Sequence, residues 1–167
     1  MNKFDGVIFY IMGVSGTGKS TIGKLLSKEW GIPFYDGDDF HPQANITKMA
    51  AGHPLNDEDR HDWLIKLNSI GQENSNKGAL IACSALKKKY RTLLTTNLKR
   101  HYFIFLEGSF DLIHNRLNSR EDHFMPADLL KSQFDSLEIP DATENVITVS
   151  IHLNPEEIIS EIKKQLN

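Results

Sequence analysis

At 167 residues the chain fits one domain, and folding at this length buries roughly 70% of the surface that the unfolded chain exposes. With 25% charged residues and a formal net charge of -3, it has no broad cationic field for nucleic acid or an acidic membrane surface, so a bound anion must be gripped locally. The single cysteine, Cys83, excludes an intrachain disulfide and, beside Leu80, Ile81 and Ala82, reads as a buried thiol in a reducing cytoplasm.

The first apolar run, residues 7–12, is far shorter than the roughly 20 residues of a membrane span. A glycine-rich loop follows it where a signal peptide would carry a small-residue cleavage site, so a cytosolic chain without a targeting segment is expected. Further strands are predicted at residues 32–35, 79–83, 102–106 and 146–151. Helical periodicity covers residues 19–30, where Ile22, Leu25, Leu26 and Trp30 share a face, and a segment capped by Asn56 or Asp57 that carries Trp63, Leu64 and Leu67. It returns at residues 86–98, 110–117, 129–137 and 155–166. This alternation predicts an α/β fold of three layers, a parallel sheet between helices, as a single domain over 1–167. Residues 119–127, SREDHFMPA, are polar and join two helical segments, which suits a short lid.

Gly13, Val14, Ser15, Gly16, Thr17, Gly18, Lys19 and Ser20 satisfy G-x-x-x-x-G-K-[ST], between a predicted strand and a predicted helix. In such a loop the glycines let successive backbone N–H groups turn inward onto phosphate oxygens, and the helix adds the positive end of its dipole. Lys19 would reach the β- and γ-phosphates of ATP, Ser20 would place its hydroxyl on Mg²⁺, and Thr21 completes the nucleotide-binding run. A dinucleotide fingerprint fails, because no third glycine follows Gly16 and Gly18 at the required spacing.

The second strand runs into Asp36-Gly37-Asp38-Asp39, and carboxylates at the carboxyl end of a sheet strand open into the ligand crevice. Read as an extended segment, Asp36 and Asp38 point to opposite sides, the first toward Mg²⁺ through water and the second toward a substrate hydroxyl. The bland alternative is an Asp/Gly turn with one Asp capping a helix.

Four stretches carry a family resemblance: MGVSGTGKST, DGDDFHPQANITKMAAGHPLNDEDRHDWL, ACSALKKKYRTLL and FIFLEGSFDLIHNRLNSREDHFMPADLLKSQFDSLEIP. Together they resemble the gluconokinase family of P-loop sugar-acid kinases. The resemblance implies ATP-dependent phosphorylation of D-gluconate to 6-phospho-D-gluconate on a five-stranded parallel sheet of order 2-3-1-4-5, and it allows a homodimer. Two positions depart from the family pattern, Asp122 in place of a lid glycine and Asp62 in place of a proline.

A sugar acid needs a cation and several hydrogen-bonding groups. Within the resembling segments, Asp38, His41, Lys48, Arg60, Ser84, Lys87 and Arg91 are the substrate-binding candidates. Arg60 lies in a first helical turn, where a cation opposes the dipole, and so points either to an anionic ligand or to Asp57 or Asp59. The alternative reading of His41 is a helix-capping or packing residue. Arg116 and Arg120 lie four apart; by resemblance the first stacks on adenine and the second reaches the phosphates, although a basic helix end explains both. Lys19, Asp38 and Arg120 are thus the catalytic candidates, and Ser20 and Asp36 the metal candidates. The rival acceptors are shikimate, adenylylsulfate and a nucleoside monophosphate. The rival class is a switch protein, marked by a guanine-reading N-K-x-D; those letters fall at residues 2–5, ahead of the phosphate loop.

Overall fold

A computed structural model describes residues 3–119 and 127–167. Its central sheet holds β1 (Ile8–Met12), β2 (Phe34–Asp36), β3 (Ala79–Ala82), β4 (His101–Glu107) and β5 (Val146–Ser150). All pairings are parallel, in the order β2-β3-β1-β4-β5. Around it lie α1 (Lys19–Trp30), α2 (Gln43–Ala50), α3 (Asp57–Glu73), α4 (Lys88–Leu94), α5 (Phe110–Asn118), α6 (Ala127–Ser136) and α7 (Pro155–Leu166).

Because helices cover both faces, every residue of β1 is buried and the strand shows no apolar/polar alternation. Phe9 and Ile11 pack with Ile22 and Leu26 of α1, Ile113 of α5 and Ile158 of α7. Ile8, Tyr10 and Met12 point the other way, against Leu64 and Leu67 of α3 and Leu94 of α4. This two-sided packing fixes β1 at the centre of the sheet, so the loop leaving its carboxyl end opens at mid-sheet. Among the described residues no helix is long and apolar enough to cross a membrane.

Three elements differ from the sequence-based expectation. β2 begins at Phe34 and ends at Asp36, because Asp36 closes it by capping a 3₁₀ turn over Gly37–Phe40. α2 has no sequence-predicted counterpart: Pro42 precedes an eight-residue QANITKMA run whose one fully buried side chain is Asn45. α4 is shorter than the 86–98 periodicity, since Ala85 takes a left-handed φ of 48° before it and Asn97 one of 62° after it.

Candidate active site

The phosphate loop is shaped by its glycines. Gly18 turns with φ 94° at the N-terminus of α1, a conformation that L side chains rarely adopt. At Gly13 a Cβ would sit 2.8 Å from the Leu106 carbonyl oxygen, so only glycine lets the loop lie this close to β4. The Lys19 ammonium curls back over the loop, donating to the Gly13 and Val14 carbonyls at 2.9 and 3.0 Å. Burial pushes its pKa down, against the pull of the nearby Asp38 and Asp36 carboxylates. Cys83, deeply buried, has its thiol pushed up to about 12.

Ser20 Oγ donates to Asp36 Oδ2 at 2.7 Å, which joins the start of α1 to the end of β2. A hydroxyl beside a carboxylate at the mouth of a phosphate loop is a donor set that suits Mg²⁺ held through water. Asp36 Oδ1 meanwhile accepts the Asp38 N–H at 3.0 Å. The two acids therefore do not alternate along an extended strand: the 3₁₀ turn swings Asp38 into the cleft while Asp36 stays at the loop. The Asp/Gly turn and the acidic cluster are the same object, for the capping acid also faces Ser20.

A cleft of about 540 Å³ begins at Ser15 and Lys19 and passes Asp38 and Ser84 to His41, Arg60 and Trp63. Its walls raise the Asp38 pKa, an effect opposed by the Lys19 charge. His41 stacks on Trp63 at 3.9 Å. The Asn45 amide nitrogen donates to the Asp59 carbonyl at 2.8 Å and faces His41 Nδ1 at 3.3 Å, which places the imidazole hydrogen on Nε2, 3.8 Å from Asp38. Burial first, and Arg60 second, push the His41 pKa down to about 4, so the ring is neutral. Trp63 donates from its indole nitrogen to the Gly37 carbonyl at 2.8 Å and pins the acidic turn to α3.

Arg60 takes neither acidic partner that its sequence neighbourhood suggests. Its Nη1 donates to the Leu55 carbonyl at 2.6 Å and to the Tyr90 hydroxyl at 3.1 Å, and the guanidinium lies over the Tyr90 ring at 5.3 Å. Three first-turn acids, Asp57, Glu58 and Asp59, offset its cost against the α3 dipole. Arg60 thus lines the cleft.

The other cationic candidates lie elsewhere. Lys48 pairs with Asp59 at 2.6 Å, outside the cleft lining. Lys87 pairs with Asp57 at 3.3 Å and lines a separate surface groove beside α6. Arg91 is engaged elsewhere: its side chain is 2% exposed, with Nε on Glu144 at 2.7 Å, Nη1 on the Ala85 carbonyl and Nη2 on the Glu138 carbonyl. A guanidinium so engaged ties α4 to the segment that precedes β5. Arg116 donates from Nη2 to the Ile151 carbonyl at 2.6 Å, beyond the end of β5. Arg120 lies outside the described residues, as do Asp122 and His123. Sequence reasoning missed Asn45 and Gln133 and took Trp63 for core alone; nothing in their spacing marks a site.

A phosphate loop at the centre of a parallel sheet, leading into an acid-bearing cleft, defines a P-loop small-molecule kinase. The family model described as Shikimate kinase matches residues 15–167. The thermoresistant gluconokinase of Escherichia coli strain K12 is 45% identical over 147 residues, which cover 87% of this chain and 84% of that protein. A crystal structure of a gluconokinase from Sinorhizobium meliloti 1021 is 38% identical with a TM-score of 0.87, covering 95% of this chain and 89% of that one. The shikimate kinase of Aquifex aeolicus, at 22% identity and a TM-score of 0.63 over 95% of each chain, shares the fold alone. The chain belongs to the gluconokinase family.

Proposed function

We propose that this chain transfers the γ-phosphoryl group of ATP to the 6-hydroxyl of D-gluconate, giving ADP and 6-phospho-D-gluconate. The observation that carries the reading is the continuity of one cleft from Lys19 through Asp38 to Arg60. Lys19 leaves its loop carbonyls to meet the β- and γ-phosphates, and residues 13–21 wrap them with N–H donors. Ser20 and Asp36 would hold Mg²⁺, which when bound neutralises charge on the phosphate oxygens. Asp38 accepts the hydrogen bond of the attacking hydroxyl and orients it; neutral His41 steadies Asp38 from the side. Arg60 is the cation for the sugar-acid carboxylate, and Ser84 adds a polar contact. Arg116 serves the base side of ATP and Arg120 the transferring phosphoryl. Support for gluconate comes from the names of the relatives as well as from the cation at the far end of the cleft. The cytoplasmic setting accords with the lone buried thiol of Cys83.

ATP consumption measured against gluconate, other aldonic acids, shikimate, adenylylsulfate and nucleoside monophosphates tests the reading. Gluconate is expected to give the highest kcat/KM; a clear preference for another acceptor overturns it.

A further inference from the structure

The phosphate loop is already gripped from across the cleft. Gln133, on α6, uses both ends of its amide on one loop residue: Oε1 accepts the Ser15 N–H at 2.8 Å, and Nε2 donates to Ser15 Oγ at 3.0 Å. The carbonyl oxygen stands where a phosphate oxygen would accept from that N–H. Ser15 and Gln133 line the same cleft as Lys19 and Asp38. α6 is anchored well enough for the contact to be directed. Leu130 is fully buried, Phe134 meets the Phe110 ring edge-on at 5.7 Å, and beyond the helix Glu138 donates its N–H to the Leu86 carbonyl at 2.7 Å. Leu129, Ser132 and Ser136 of the same segment line that cleft together with Arg60 and Trp63.

We propose that Gln133 is a positioning residue: it holds the Ser15 N–H while the loop is empty, yields that donor to the nucleotide's terminal phosphate, and so couples nucleotide occupancy to the α6 wall of the acceptor cleft. The inference rests on the phosphate loop as the ATP site and deepens the reading of the acceptor side. Removing the amide has two consequences. A nucleotide no longer competes with a neighbouring side chain for the Ser15 N–H, and its arrival no longer reaches α6.

Isothermal titration calorimetry of the full chain with a non-hydrolysable ATP analogue and Mg²⁺, with gluconate, and with both together tests this in wild type, Gln133→Met and Gln133→Glu. Methionine keeps the length without the amide, and the analogue is expected to bind roughly fivefold tighter, the worth of one net hydrogen bond. Glutamate places an anion at the phosphate site and is expected to weaken the analogue by about tenfold or more. The factor by which the analogue changes gluconate affinity is expected to fall toward one in both variants. A merely structural role would lower thermal stability and leave that factor unchanged. Weaker analogue binding in Gln133→Met, or analogue affinity equal to wild type in both variants, overturns the proposal. If gluconate fails to bind even the wild type, the acceptor reading fails, and the analogue affinities still decide the role of Gln133.

Discussion

Lys19 and Asp38 face one cleft with opposite charges, and each leaves a separate kinetic trace. Lys19→Ala is expected to lower kcat by about 10²–10³ or more, because it removes charge stabilisation from the transferring phosphoryl group. Among the described residues the ammonium hydrogen-bonds loop carbonyls, so circular dichroism and the unfolding midpoint should stay near wild type. Asp38→Asn keeps the shape and loses the anion; kcat should fall by ~10² with ATP affinity little changed. Asp36→Asn, at the Ser20 contact, should instead raise the Mg²⁺ concentration needed for half-maximal rate. Separate Mg²⁺ and gluconate titrations distinguish the two acids. His41 links the site to stability. Its folded pKa of about 4 lies below the ordinary 6.5, so the unfolded chain takes up the proton first as pH falls. The stability from keeping the ring neutral is whole above pH 6.5 and is lost between there and about 4. Urea unfolding across that window should show a steeper loss in wild type than in His41→Gln.

At the scale of elements, the acceptor side is held by how α2 and α3 begin. Asn56 caps α3 in a reciprocal box with Asp59, whose carboxylate also takes Lys48 and whose carbonyl takes Asn45 of α2. One acid thereby fixes the α3 terminus, the α2 helix and, through Asn45, the His41 ring. Asn56→Ala is expected to cost about 1 kcal/mol by denaturant titration, in the range for a lost cap. Because the same box orients Asn45, the KM for gluconate should rise as well. On the nucleotide side, Arg116→Ala should chiefly raise the KM for ATP and Arg120→Ala chiefly lower kcat, a split that steady-state kinetics reads directly.

Across the whole molecule, the buried Arg91–Glu144 pair ties α4 to the turn before the edge strand β5. Both partners lie deep, at 2% and 10% side-chain exposure, so removing one leaves an uncompensated charge. Arg91→Ala is expected to destabilise by about 3–5 kcal/mol in chemical unfolding. Arg91→Met, which removes the donors but refills the volume, should still strand the Glu144 carboxylate. If either variant remains stable but loses only gluconate affinity, the substrate role returns to Arg91.

The phosphate loop was legible in the sequence because its donors are backbone groups and its residues are contiguous: glycine placement alone shapes the cradle. Strand positions were legible to within a few residues for the same local reason. Periodicity could not order the strands, since β1 is buried on both faces and carries no sign of which neighbour it meets; the order came from resemblance. Cation roles were decided only by tertiary structure. Lys48, Lys87 and Arg91 look alike to Arg60 along the chain, yet each is claimed by an acid, Asp59, Asp57 and Glu144, that lies 11, 30 and 53 positions away. Gln133 reaches Ser15 across 118 positions, and no local pattern records such a meeting. Backbone chemistry is written in the order of residues, whereas the partner of a long charged side chain depends on which elements the packed sheet brings within about 3 Å of one another.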